Sequence, residues 1–181
     1  MKYRNHTVFA VALGVVANAP IPALAGISFG SLYPDKMDAF LSGGSERLFF
    51  RVHRGFSHWP WTYVVIFMGM LFYPDFMRTL YGQFLMGIAA GSALHVLGDM
   101  FTPGGCPIYP WSLRKKFGFG WFKTGTVAEY FFTYSFVLLC GLAVGIQYLF
   151  WGIVPDLHIG ATIIEAKNVY WELKEVIVRN L

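Results

Sequence analysis

The chain has 181 residues, 56% of them hydrophobic and 13% charged, with a net charge of +4 and two cysteines; its mean hydropathy is +0.50. Soluble domains carry about a quarter of their residues as charged groups, so this is the composition of a polytopic membrane protein and excludes an ordinary soluble enzyme. The modest charge gives no reason to expect a nucleic-acid partner, and Cys106 and Cys140 do not make a disulfide framework.

Lys2 and Arg4 precede an apolar stretch from Thr7 to Ala17. With Ala23-Leu24-Ala25 as a small-residue cleavage site, the stretch reads as a secretory signal. The competing reading is a helical hairpin, because apolar character continues past that site to Tyr33 and because Pro20 and Pro22 forbid one continuous helix. Each arm then reaches about 16 Å, roughly half a hydrocarbon core, and the chain returns to the side it entered from. Trp59 to Tyr73 is a short apolar segment with Trp59 and Trp61 suited to interfacial depth. After a tight turn at Pro74 to Arg78, Leu80 to Phe101 is long enough to cross a bilayer, with Gly82, Gly87, Gly91 and Ser92 as small packing positions. Val127 to Val154 is the longest span, with Pro155 expected to end it, and Ile159 to Leu181 reads as an amphipathic helix. The expected fold is thus all-α: a membrane helical bundle with an N-terminal hairpin and about three further membrane segments. Residues 1–155 form a membrane-embedded metal-site domain and residues 156–181 a C-terminal amphipathic helix.

With the first segment as a hairpin, His6, Asp35, Asp38, His53, His58, His95, Asp99 and Glu129 fall near segment ends on one side of the membrane. Most of the Lys and Arg residues share that side, which the positive-inside rule makes cytoplasmic. Ionisable groups at membrane depth are costly unless paired, so these residues are functional candidates. His95 and Asp99 lie one helical turn apart and can hold one metal ion, although such a pair also serves as a plain hydrogen-bonded pair. His53-Arg54-Gly55-Phe56-Ser57-His58 concentrates two imidazoles and a guanidinium just before a membrane segment. Asp35 and Asp38 add carboxylates, the mixture that hydrolytic metal sites use. Asp38 is equally readable as a helix cap, Glu129 as a ligand, a general base or a helix-dipole partner, and His6 as a surface residue. Arg114-Lys115-Lys116 reads most simply as an anionic-lipid contact.

These elements, with Leu32-Tyr33-Pro34-Asp35, His95-Val96-Leu97-Gly98-Asp99-Met100-Phe101-Thr102-Pro103-Gly104-Gly105 and Gly125 to Glu129, resemble in order and type the YdjM-like bacterial inner-membrane proteins. That family is described as membrane-bound metal-dependent hydrolases. The resemblance implies a metal site built from His53, His58, His95, Asp99 and Asp35, extended by His6 and Glu129. The ligand order is more distantly similar to zinc-dependent phospholipase C, although glycines stand at Gly105 and Gly125 where those enzymes place further histidines. The expectation is a hydrolase of phosphoesters holding one or two divalent ions, with zinc as the implied metal and a lipid or lipid-linked phosphate as one substrate class. Arg54 would steady the phosphate, and Asp38 or Glu129 would take a proton. The alternative is a non-catalytic membrane protein that uses the same cluster for metal binding, regulation or scaffolding.

Overall fold

The N-terminal apolar run breaks at its prolines into α1 (Tyr3–Val16) and α2 (Ile21–Gly30), with Pro22 in the first turn of α2, where a missing N–H costs nothing. The computed structural model describes residues 1–152 together with Lys167, Asn168, Trp171 and Lys174. Apart from those four positions, the amphipathic tail from Ile159 to Leu181 lies outside the described residues. The chain continues through α3 (Tyr33–Leu41), α4 (Glu46–Val52), a 3-10 turn at Phe56–His58, α5 (Pro60–Leu71), α6 (Pro74–Arg78) and α7 (Leu80–Met100). The strands β1 (Cys106–Tyr109) and β2 (Ser112–Phe117) and the helix α8 (Val127–Trp151) follow.

Helices α1 and α2 form the expected helical hairpin, and α7 and α8 are long and apolar enough to cross a membrane. Helix α5, with 12 residues, spans only about 18 Å. Two details differ from the sequence reading. Helix α8 stops at Trp151, before Pro155, because Gly152 adopts a left-handed conformation (φ 61°) and caps it. The connection after α7 holds an antiparallel strand pair, in register at Cys106 with Phe117 and Tyr109 with Ser112, where no strand was expected. Its two short strands are broken by Pro107 and by a run of cations, so no alternation shows in the sequence. The indoles of Trp59 and Trp61 donate to the carbonyls of Tyr109 and Ile108 at 3.1 and 2.8 Å, fastening β1 to the start of α5.

Helices α2 and α7 run parallel with their backbones in contact. A β-carbon at Gly87 or Gly91 would strike the carbonyl oxygen of Ala23 or Ile27, and one at Gly26 or Gly30 would strike that of Phe84 or Ile88. Small residues permit this approach where no water is available to drive association. Helices α1 and α8 are also parallel: Lys2 bonds to Glu129 at one end, and the Gln147 amide donates to the Val16 carbonyl at the other. Phe9, Phe132 and Phe136 fill the space between them. As a result the start of α1, the end of α2, the end of α7 and the start of α8 all meet at one end of the bundle. Helix α3 and the 3-10 turn close over that end.

Candidate metal centre

Because α7 brings His95 and Asp99 to the same face one turn apart, and α2 delivers Ser31 opposite, the His95 ring is clamped. Its Nδ1–H donates to the Ser31 carbonyl at 2.6 Å, which leaves the lone pair on Nε2. His58 is oriented from the opposite side. The Ser57 hydroxyl gives its proton to Asp38, so the hydrogen in the 2.9 Å Ser57–His58 bond comes from His58 Nδ1 and its Nε2 also faces inward. The two Nε2 atoms lie 3.2 Å apart. Asp35 Oδ1 sits 3.3 Å from the first and 3.6 Å from the second. Asp99 Oδ2 completes the group at 3.7 and 4.0 Å from His58 and His95.

Four donor atoms at 2.0–2.1 Å around a tetrahedral ion are about 3.3 Å from one another, which is close to this spacing. Asp35 Oδ1 is buried without a hydrogen bond among the described residues, and two imidazole lone pairs face it. Such a group of acceptors calls for a cation, and nitrogen with carboxylate oxygen suits zinc and its neighbours. Asp35, Asp38, His53 and His58 form one set able to hold an ion, and His6, His95 and Asp99 a second. In the second set the His6 ring stacks on His95 at 3.8 Å, its Nε2 lies 3.2 Å from Asp99 Oδ1, and neither ring nitrogen makes a hydrogen bond among the described residues. The Met1 amino nitrogen lies 2.5 Å from the same Asp99 oxygen.

The electrostatics follow from this packing. Burial alone would raise the Asp35 pKa, but the adjacent His58 and His95 imidazoles outweigh it and hold the carboxyl well below its usual range. Burial acts the same way on Asp38 and is likewise outweighed, by His53, His58 and Ser57. Burial pulls the His58 pKa down, yet Asp35 and Asp38 more than compensate and raise it. The carboxylates that would hold a cation thus also favour the protonated form of His58.

The remaining candidates surround this group. Asp38 accepts from Ser57, from His53 Nδ1 at 3.1 Å and from the Arg54 N–H at 3.1 Å, so it orients the loop and the two imidazoles. Arg54 holds a left-handed conformation (φ 56°), uncommon for a side chain of its size. Its Nη2 pairs with Asp99 Oδ2 at 3.0 Å, and its Nη1 donates to Thr102 Oγ1 and the Gly105 carbonyl. Its Nε is buried without a partner among the described residues. Glu129 accepts from the Lys2 N–H at 2.6 Å, the Asn5 amide at 2.7 Å and the Gly125 N–H at 2.5 Å. Both its oxygens are engaged in tying the start of α1 to α8.

The described residues 1–152 span nearly all of a family match that runs over residues 1–155, to the YdjM inner membrane protein family. The chain belongs to that family. With α7 and α8 able to cross a bilayer, it is a membrane protein. No curated protein matches the chain, and no solved structure does. The likeness to zinc-dependent phospholipase C thus rests on ligand order alone.

Sequence reasoning missed several residues on which this YdjM family site depends. Ser31, Ser57, Thr102 and Gly104 carry no chemistry visible in isolation. Thr102 Oγ1 accepts from Arg54 while donating to the Asp99 carbonyl at 2.7 Å. A β-carbon at Gly104 would collide with the Arg54 guanidinium. The Thr-Pro-Gly-Gly run that follows α7 is the seat of the arginine. Asn5, fully buried against Glu129, had one available signal: it stands beside His6 ahead of an apolar run.

Proposed function

We propose that the protein is a metal-dependent hydrolase of phosphoesters in the bacterial inner membrane, with its site facing the cytoplasm. The observation that supports this best is the convergence of His58 Nε2, His95 Nε2, Asp35 Oδ1 and Asp99 Oδ2 beside a guanidinium with an unused N–H. His58, His95, Asp35 and Asp99 would hold one divalent ion, zinc by the donor set. His53, beside Asp35, or His6, beside Asp99, would add a donor for a second. A bound ion would polarise a phosphoryl oxygen and acidify water.

The chain's own residues set the geometry of the reaction. Arg54 keeps Asp99 fixed through Nη2 and offers Nε–H to a phosphoryl oxygen, a charge-assisted bond that strengthens as charge grows on that oxygen. Asp38, through Ser57 and His58 Nδ1, fixes the ring orientation in the manner of the carboxylate partners of metal-bound histidines. In the net reaction, the oxygen of water bonds to phosphorus, the P–O bond to the alcohol breaks, and the alcohol oxygen takes the proton. Asp38 and Glu129 are occupied by three or more donors each, so neither is assigned proton transfer.

The test is elemental analysis of the purified protein followed by hydrolysis of bis(p-nitrophenyl) phosphate and p-nitrophenyl phosphate. Bound metal at one or two equivalents is expected. His95→Ala and Asp99→Ala should each lose the metal and at least about 10³-fold in turnover, about 4 kcal/mol of transition-state stabilisation. Stoichiometric metal with no hydrolysis of either ester would replace this reading with a non-catalytic metal-binding protein.

A further inference from the structure

A cavity of about 510 Å³ opens onto two of the candidate ligands, Asp35 and His53, and is lined besides by Met1, Lys2, Tyr3, Arg4 and Phe49. We infer that this cavity takes the headgroup of an anionic phospholipid, so that the substrate of the proposed hydrolase is a phosphate ester carried by the bilayer. The inference rests on the hydrolase reading for the reaction but on the cavity alone for the binding.

Three features support it. The first is the charge of the walls. Lys2 and Arg4 lean over the ring of Tyr130 at 5.5 and 5.8 Å, and Arg4 Nη2 donates to the Tyr134 hydroxyl at 3.0 Å. Lys36 lies over Tyr3 at 5.5 Å. Aromatic faces thus hold three cations at the rim while leaving them exposed, which matches a phosphate better than a neutral group. The second is the aromatic lining. Phe49 stacks on His53 at 4.8 Å, which gives the cavity an apolar side next to its two ligands.

The third feature decides between a free phosphate and a lipid. Helices α3 and α4, which supply Asp35, Phe49 and His53, carry Phe40, Leu41, Leu48 and Phe50 on their outer surface, with Phe40 at 81% and Phe50 at 71% exposure. Helix α4 buries no residue at all. Arg47 and Arg51 are exposed on the same short helix. Large apolar side chains interleaved with arginines form an interfacial surface, with the side chains reaching into the acyl boundary and the cations at headgroup depth. A soluble phosphate would need only the cations; the apolar rim places the mouth of the cavity where lipid headgroups lie.

Photo-crosslinking tests the binding without turnover. The full-length protein, stripped of metal with EDTA, is placed in phosphatidylcholine nanodiscs doped with a phosphatidate that carries a diazirine near its glycerol. Crosslinks at Tyr3 and Phe49 are expected, displaced by unlabelled phosphatidate and not by the same concentration of inorganic phosphate. The Lys2→Gln/Arg4→Gln double variant should lower capture at least fivefold, while the charge-keeping Lys2→Arg/Arg4→Lys pair restores it. Labelling spread along the lipid-facing side of α8, equal capture by both pairs, or equal displacement by inorganic phosphate would overturn the inference. Specific capture without hydrolysis of any ester would leave the lipid site standing and remove the hydrolase. Hydrolysis of soluble esters without specific capture would do the reverse.

Discussion

His58 shows how a single side chain can report the state of the whole centre. Its pKa stands above the ordinary imidazole value of 6.5 because Asp35 and Asp38 overcome its burial. The stabilisation from those partners is fully present below the unfolded imidazole value and is lost as pH rises through the raised folded value. The depressed pKa of Asp35 works in the opposite sense, its contribution being present above the unfolded carboxylate value of 3.8 and lost on acidification. Metal-free protein should therefore be most stable in mildly acidic solution, between those limits. A metal ion needs the neutral ring, so loading should release about one proton and shift the stability maximum to higher pH. Thermal melts from pH 4 to 9, with and without zinc, check this; identical profiles would count against His58 as a ligand. Arg54 makes a second test at this scale. In Gly104→Ala the new methyl occupies the place of the guanidinium and frees Asp99 from it, while every ligand side chain is kept. Metal content should remain, and phosphoester turnover should fall about 10- to 100-fold, the worth of one or two charge-assisted hydrogen bonds. Full turnover in that variant would show that Arg54 does not act on substrate.

At the scale of the elements, the contact between α2 and α7 presents His95 to Ser31, so its glycines govern the site from a distance. Gly87→Leu and Gly91→Leu each drive a side chain into a backbone carbonyl that cannot rotate away. Each should cost about 3 kcal/mol, read as lowered thermal stability in detergent; an unchanged melt would mean that the two helices do not pack this closely. These glycines were legible in the sequence because small residues at helical spacing in an apolar helix have one dominant use, and the hairpin was legible because two prolines within three positions leave few alternatives. The strand pair was not, since its stability comes from Trp59 and Trp61, far away in the chain. The candidate site divides the same way. His58, His95, Asp35 and Asp99 announce themselves by residue type at membrane depth, while Ser31 contributes a backbone carbonyl that any residue possesses. What no sequence pattern carries is the division of labour between Asp35 and Asp38. They differ only in which face of a nine-residue helix meets the His58 Nε2 or its Nδ1.

For the whole molecule, the parallel pairs α2 with α7 and α1 with α8 put the chemistry at one end and the turn at α6 at the other. Lys2, Arg4, Lys36, Arg47 and Arg51 are exposed near the centre, and Arg114, Lys115 and Lys116 on β2 extend the same side. At the opposite end, α6 carries Asp75 and Arg78, paired with each other at 3.9 Å. The bias of cations toward the cytoplasm, counted over short connections, supports the proposed orientation. It can be measured with single cysteines, because the native thiols are poor targets: Cys106 and Cys140 are both buried, and burial pushes the Cys106 thiol up to about 12. In intact cells, an impermeant maleimide should label Asp75→Cys and leave Lys36→Cys unmodified. In inverted vesicles the pattern should reverse. If both positions are labelled from the same side, α7 does not cross the bilayer, and the carboxylates and imidazoles gathered at its end would have to be explained without a membrane between them and the α6 turn.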